Sequence, residues 1–535
     1  MAAPDLQRLS RRCDVRQCAA QIASHLASYI LSMSLVEMGD SWMAATDLLT
    51  VALLLLAAPA VALAVLRLRC SRPSIPCLPS LPLLGSLLSL STDQAPHLLF
   101  TQLGHQYGSL FALHVGPHYT VVVNDFKHAR EVLLQRGKEF AGRPKMMTTE
   151  LLSRGGKDIA FADYSPLWKS HRRLVHASFT MFGEGSNKLQ SIVCDEATSL
   201  CADLSAQASQ PLDLRLPLMR AVTNVVCTLV FSSTYQPSDP EFHSVMEYNS
   251  GIVQTIARGS MVDIFPWLKI FPNKEVKRLK ECIRVRDELL SRKLREHKET
   301  YNPEETRDLL DALLKGQRSS GNGSSITDDH VLMTAAEVFG AGVETTSTTL
   351  LWMIAFLLHH PEVQDRIHQE LDEHIGRNRM PMLADRGRLP YLESTLCEVM
   401  RIRPVSPVLI PHVALQDTSL GEHSIAKGTR VLVNMWSVHH DPQQWDDPEK
   451  FKPERFLDAG GQRVSPPCFL PFGAGPRVCV GECLAKLELF LFSSWLLQRF
   501  TFSVPQEALL PNLQGCFGVV LQPLAYTVSV LPRLG

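Results

Sequence analysis

Residues 472–484 read FGAGPRVCVGECL, and the reading of the whole chain turns on the cysteine at their centre. Cys479 stands between glycines, two residues after Arg477, with Cys483 four residues further on. Taken alone, the stretch leaves four chemistries open: a nucleophile, half of a zinc site, half of a disulfide, or an axial ligand to something larger. Zinc wants four ligands, and no paired cysteines or histidines flank these two at a useful spacing. A cysteine hydrolase wants an oriented histidine, which a sequence neither shows nor excludes. The fourth option uses every position of F-x-x-G-x-R-x-C-x-G, here Phe472, Gly475, Arg477, Cys479 and Gly481. The glycines let the backbone lie flat under a planar group, Arg477 pairs with a carboxylate on it, and Cys479 supplies a thiolate to a metal.

The chain is 535 residues long, 45% apolar and 20% charged, with a formal net charge of −1. That balance gives no global attraction to nucleic acid, so any basic docking face is local. Thirteen cysteines, odd in number and scattered, suit a large reduced protein better than a disulfide framework.

Residues 48–66, LLTVALLLLAAPAVALAVL, run without a charge and are long enough to span a bilayer. Acidic Glu37, Asp40 and Asp47 precede the run, and Arg67, Arg69 and Arg72 follow it, which directs the body of the chain to the cytosolic side. A cleaved signal peptide would carry its positive charge on the other flank. Residues 1–47 read as an extension outside the mature protein, with Met38 or Met43 as a simpler start. Residues 67–85 hold prolines 73, 76, 79 and 82, a spacing that predicts a stiff, extended strap.

Beyond the strap, SLFALHVGPHYTVVVN (109–124) predicts a hairpin turning at Gly116–Pro117. Helical patterns dominate from about 126 to 315, and GQRSSGNGSS (316–325) is a surface loop. A helix then runs from Asp328 or Asp329 to about His360, where Pro361 stops it. Apolar nearly all round and about 50 Å long, it must cross the middle of the molecule.

Three further constellations stand out. The centre of the long helix, EVFGAGVETTSTT (337–349), clusters Gly340, Ala341 and Gly342 before Glu344, Thr345 and Thr346. Small residues there weaken the helix and admit something close to its backbone, or they are a packing notch with Thr345 bonded back to a carbonyl. LCEVMRIRP (396–404) sets Glu398 and Arg401 one turn apart, and FKPERFL (451–457) adds Arg455.

In this order, A-G-x-E-T-T, E-x-x-R, P-E-R-F and F-x-x-G-x-R-x-C-x-G resemble the cytochrome P-450 superfamily over roughly residues 70–535. The resemblance implies a mainly α fold with a smaller β region (residues 86–535), preceded by one N-terminal transmembrane helix. It further implies haem b with its iron held by the Cys479 thiolate, which favours O–O cleavage. Trp168 and Arg172 (from LWKSHRR), Arg477, Arg143 (from FAGRP) and His412 (from IPH) would bind the haem propionates. Phe472 and Gly475 would shape the cysteine loop, and Cys483 would be a small buried packing residue. Glu398, Arg401 and Arg455 would form a structural triad, while Glu344 and Thr345 would relay protons to dioxygen, Thr345 the nearer.

FGAGVETT, VDIFPWLKIFPNK, RPVSPVLIPH, FLPFGAGPR and WLLQRF are similar to the steroid 17α-hydroxylase/17,20-lyase group of microsomal enzymes. That implies a progesterone or pregnenolone substrate in a pocket lined by Ala341, Leu152, Val405 and Val519. It also implies an endoplasmic reticulum membrane location, NADPH-cytochrome P-450 reductase as electron donor and cytochrome b5 as a further partner. No dinucleotide-binding glycine motif appears, in keeping with a separate reductase. Where the group carries an asparagine toward the steroid's 3-oxygen, the expected counterpart here is Glu247 in VMEYNSG. Arg386 and Lys486 keep part of the basic partner-docking face, but Cys397 stands where a second arginine is expected, which predicts retained hydroxylation and weak lyase activity. A steroid 21-hydroxylase, a dioxygen-independent isomerase and a non-catalytic haem-thiolate sensor are the other readings. The Glu344–Thr345 pair argues against the isomerase and the sensor.

Overall fold

The computed structural model describes residues 75–182, 187–208, 210–236, 238–258, 260–319 and 326–533. The anchor expected at 48–66, the extension before it and the first part of the strap lie outside these residues. The predicted hairpin is present as β1 (Leu110–Val115) and β2 (His118–Val123), with Val115 opposite His118 and Gly116 at a φ of 57°. Two later strands, β3 (His412–Val413) and β4 (Arg430–Val433), complete a sheet in the order β1-β2-β4-β3, with β2 and β4 parallel. Cys77 runs beside Ala112 of β1, but Leu81 and Gly85 pair back on each other. The end of the strap is therefore a turn rather than extended chain, and Leu83, at φ 64°, takes the left-handed position it requires.

Among the described residues, helices and three two-stranded sheets carry the rest. α1 (Met147–Leu152) and α2 (Pro166–Phe182) follow the sheet, then α3 (Arg215–Phe231), α4 (Pro240–Arg258), the short α5 (Met261–Ile264) and α6 (Lys274–Glu299). The long helix is α7 (Asp328–His359), followed by α8 (Pro390–Ile402) and α9 (Glu482–Arg499). Local chemistry sets both ends of α7. Thr327 caps it, donating its N–H to His330 Nδ1 at 3.0 Å, and Asp328 and Asp329 place negative charge on the first turn. At the other end His360, at φ −130° and ψ 66°, leaves the α region, which a following proline disfavours. Among the described residues α7 alone is long and apolar enough to cross a membrane, yet most of it is buried inside the protein, as a core helix should be. Its C-terminal half packs Trp352, Met353, Ile354 and Phe356 into the main core beside Phe490, Phe492 and Trp495 of α9.

The E-x-x-R pair sits in this core with no exposure at all. Arg401 makes a two-pronged bond to Glu398, Nε to Oε2 at 2.7 Å and Nη2 to Oε1 at 2.8 Å, and gives Nη1 to the His439 carbonyl at 2.8 Å. Arg455 Nε reaches Glu398 Oε1 at 3.3 Å, and the Lys452 N–H donates to the same oxygen at 2.9 Å. All three residues named from sequence therefore meet around one carboxylate. Burying such charges is costly, and removing one partner strands the others. Glu398→Ala is expected to cost about 3–5 kcal/mol in urea unfolding. The Glu398→Ala/Arg401→Met double variant should lose less than the sum of the two singles.

Candidate active site

The loop carrying Cys479 is shaped by one close approach. Gly475, at φ 70°, lies so near the Leu133 carbonyl that a Cβ would sit 1.8 Å from the oxygen. Leu133 belongs to a single π-helical turn, Glu131–Gln135, a distortion often found at functional sites. Gly473 is also left-handed, at φ 69°. The Cys479 N–H then donates to the Phe472 carbonyl at 3.0 Å, closing the loop. Directly after it α9 begins at Glu482.

Cys479 is exposed although its loop is packed on the core. Among the described residues no histidine is hydrogen-bonded to it, and the one cluster of three metal-type side chains, His297, Asp308 and Asp311, does not include it. Those facts remove the support for a hydrolase or zinc reading. Cys479 and Cys483 are both free thiols, which removes the disulfide. Cys483 is exposed, not the buried packing residue expected: the first turn of α9 points it outward. Burial of its surroundings pushes the Cys479 thiol up from its usual range, while Arg172 and the Gly481 N–H favour the thiolate.

Three guanidinium groups gather beside this loop. Arg477 gives Nε to the Ala141 carbonyl (2.9 Å), Nη1 to Ile159 (3.1 Å) and Nη2 to Ala162 (2.8 Å), stacked 4.1 Å from the centre of the Trp168 ring. Arg143 donates to the Ala160, Ile410 and Pro411 carbonyls, and Arg172 to the Val478 carbonyl. Among the described residues none of the three makes a salt bridge. Burial first, then mutual repulsion, lowers Arg143 to about 9 and Arg477 to about 10, and burial lowers Arg172. A group carrying two carboxylates beside a thiolate-seeking metal answers both the unpaired cations and the exposed thiol, so the residues fit haem. Two of the expected contacts are occupied internally. Trp168 Nε1 donates to the Ile159 carbonyl (2.9 Å), and the His412 Nδ1–H donates to the Phe140 carbonyl (2.9 Å), with burial taking His412 down to about 3.

On α7 the helix is not opened at its glycines but runs through as regular α-helix. A Cβ on Gly342 would come within 3.2 Å of Val226 Cγ2, so this glycine is a packing notch for α3. Thr345 Oγ1 bonds back to the Ala341 carbonyl at 2.8 Å. The Glu344 carboxyl accepts from Gln522 Nε2, and burial raises its pKa. The Leu521 N–H donates to the Val405 carbonyl at 2.9 Å, so the segments bearing Val405 and Val519 reach the helix together with Gln522. Leu152 packs against a core cluster that includes Val338 and Val343 of α7. The Glu247 expectation is wrong: its side chain is exposed, whereas Asn249, 6% exposed, has Oδ1 3.5 Å from where a Gly340 Cβ would lie. Two residues along a helix turn a side chain by about 200°, which puts the carboxylate and the amide on opposite faces of α4.

Two acids went unnoticed in the sequence. Glu337, four residues before Ala341, accepts the Ile159 and Ala160 N–H groups at 2.7 and 2.8 Å. Desolvation and the neighbouring Asp158 carboxylate push its pKa well up. Glu488 on α9 is fully buried and accepts from Thr346 Oγ1 at 3.0 Å, with burial raising it to about 8. The helical spacing of Glu337 from Ala341 was a usable signal, whereas nothing local marks Glu488.

The side chains expected on a partner-docking face line one cleft. Arg386 Nε (3.1 Å) and Arg463 Nε (3.3 Å) share Glu393 Oε2, and Lys486 Nζ pairs with Glu482 Oε1 at 2.5 Å. They line a cleft of about 380 Å³ together with Cys397, which is buried with Arg463 against it.

The model of the cytochrome P450 family matches residues 75–530, and the chain belongs to that family. Its cofactor is haem with a thiolate-held iron. The chain is 58% identical over 471 residues to the steroid 17-alpha-hydroxylase/17,20 lyase of Gallus gallus, covering 86% of this chain and 92% of that one. It is 55% identical over 477 residues to the enzyme of the same name from Oryzias latipes, with the same coverage. A solved zebra fish cytochrome P450 with progesterone is 67% identical, with a TM-score of 0.77, covering 82% of this chain and all of that one. Another, with abiraterone, is 64% identical with a TM-score of 0.75.

Two measurements follow from this geometry. Arg172→Gln and Arg477→Gln should each speed haem loss to an acceptor apoprotein by about 10- to 100-fold, the equivalent of one lost charge-assisted bond. Glu488 binds its proton more tightly folded than unfolded, so it lowers stability as pH rises from about 4.3 to about 8, by up to about 1.4 kcal/mol per unit. Glu488→Gln should flatten that part of the stability–pH curve. Parallel curves for variant and parent would refute the assignment.

Proposed function

We propose that the chain is a membrane-bound steroid 17α-monooxygenase acting on C21 steroids such as progesterone and pregnenolone, with weak 17,20-lyase activity. The observation that carries the substrate is the 67% identity to a P450 solved with progesterone, extending over the whole of that chain. Haem bound through Cys479 supplies the activation of dioxygen, and the Cys479 loop holds the thiolate in place. Arg143, Arg172 and Arg477 bind the two propionates, with Trp168 and His412 keeping the surrounding backbone in position. Asn249, held beside Gly340, offers an amide to the steroid's 3-oxygen, a neutral donor and acceptor where a carboxylate would repel a ketone. Ala341, Leu152, Val405 and Val519 present the apolar wall on which a steroid lies.

Glu344 holds a proton at its carboxyl because burial favours the neutral form, and Gln522 keeps it oriented. Thr345 passes that proton once its hydroxyl turns from the Ala341 carbonyl. NADPH-cytochrome P-450 reductase donates the electrons, at the cytosolic face of the endoplasmic reticulum. The basic face offers Arg386, Arg463 and Lys486 against Glu393 and Glu482, so most of its charge is internally matched. A nearly neutral face recruits acidic cytochrome b5 poorly, which supports the weak lyase step. Reconstitution with reductase and progesterone, with and without cytochrome b5, tests the proposal. 17-Hydroxyprogesterone should dominate in both. Abundant androgen on adding cytochrome b5 would overturn the weak lyase step, and a 21-hydroxylated product would overturn the position of attack.

A further inference from the structure

Beside α5 lies a cleft of about 240 Å³ that takes no part in the site described above. Lys269, Lys277 and Lys280 line it with Asn273, and Met147, Val262, Phe271 and Val276 form its apolar wall. Lys277 and Lys280 are one turn apart on the same face of α6, and Lys269 comes from the 3₁₀ turn Pro266–Ile270 ahead of that helix. Among the described residues none of these three lysines has an ion-pair partner, and all are exposed. Of the acids close by in sequence, two are otherwise engaged, and Glu275 stands in the first turn of α6, two residues from Lys277 and so off its face. Asp263 accepts the Thr148 N–H (2.9 Å), and Glu281 is held by Arg284. The three lysines therefore gather at the cleft without an ion-pair partner among the described residues.

The rim has a second property. Trp267 is 60% exposed, Ile270 78% and Phe271 59%, three large apolar side chains in five residues. They do not stand alone. A Cβ on Gly116, at the tip of the hairpin, would touch Ile264 and Phe265, and Gly85 packs on the backbone of His114 and Gly116. The hairpin tip thus joins this rim to the exposed Leu81, Leu83, Leu84 and Leu88. Soluble surfaces rarely gather so many large apolar residues. A tryptophan with aliphatic neighbours beside lysines is the composition of a surface that lies in the headgroup layer of a bilayer.

We propose that this cleft is a discrete binding site for the phosphate of an anionic phospholipid headgroup, with Trp267, Ile270 and Phe271 seated among the acyl chains. Lys269, Lys277 and Lys280 hold the phosphate oxygens, and Asn273 lines the cleft with them. An acidic protein would answer the lysines but not the apolar rim, and an uncharged membrane would answer the rim but not the lysines. The proposal goes beyond the catalytic reading and rests on its membrane setting alone, which incorporation of the full chain into lipid discs checks separately.

The test is lysine acetylation footprinting of the full haem-loaded chain in discs of phosphatidylcholine, alone or with increasing phosphatidylserine, with exposed Lys427 as reference. Lys269, Lys277 and Lys280 should become protected as phosphatidylserine rises, and added salt should reverse it. Lys280→Gln should raise the phosphatidylserine fraction for half-protection of the other two by about fivefold, the equivalent of one lysine near an anionic surface. An unchanged haem absorption spectrum shows that the variant has folded. Equal protection in pure phosphatidylcholine means apolar immersion only and overturns the site, as does absence of protection in either lipid. Protection by inorganic phosphate in phosphatidylcholine discs, or only on adding an acidic protein, overturns the lipid as ligand.

Discussion

The contact between Gly475 and the Leu133 carbonyl is the constraint on which the rest depends. Any side chain at 475 would drive the cysteine loop off the π turn, and the loop's left-handed geometry forbids one in any case. With the loop seated, Cys479 is presented outward and α9 starts immediately behind it. Because α9 packs against α7 in the main core, the thiol-bearing loop and the Glu344–Thr345 turn belong to one rigid assembly.

Electrostatics complete what packing begins. Among the described residues the guanidinium groups of Arg143, Arg172 and Arg477 donate only to carbonyl oxygens, with Arg172 and Arg477 also over the Trp168 ring, an arrangement that orients them without a counter-charge. Glu398 and Arg401 show the contrary solution, in which opposite charges neutralise one another inside the fold. The contrast separates a cluster left without counter-charge from one whose charges are matched inside the fold.

Much of this was legible in the sequence because it is local. The hairpin at Gly116–Pro117, the stop of α7 before Pro361 and the meeting of Glu398 with Arg401 follow from turn chemistry and helical spacing, while the cap of α7 falls on Thr327, one residue before the expected Asp328. What was not legible depends on which face of a helix turns inward. Glu247 and Asn249 are two residues apart, and only packing against α7 decides that the asparagine is the buried one. Cys483 failed for the same reason. Glu337 and Glu488 are surface-type residues whose burial arises from distant segments, the Ile159–Ala160 backbone and Thr346. The strap's final turn was hidden because its prolines suggest extension, and Leu83 and Gly85 override them.

Along α7 stand, in order, Glu337, Gly340 facing Asn249, Gly342 against Val226, Glu344, Thr345 and Thr346 bonded to Glu488. One unbroken rod carries all of these, so their relative bearings are those of a graduated shaft. Inserting or deleting a single residue in its middle would rotate every later group by about 100°. Change in this stretch is therefore open only to substitution, and divergence in chain length must be absorbed outside the helix.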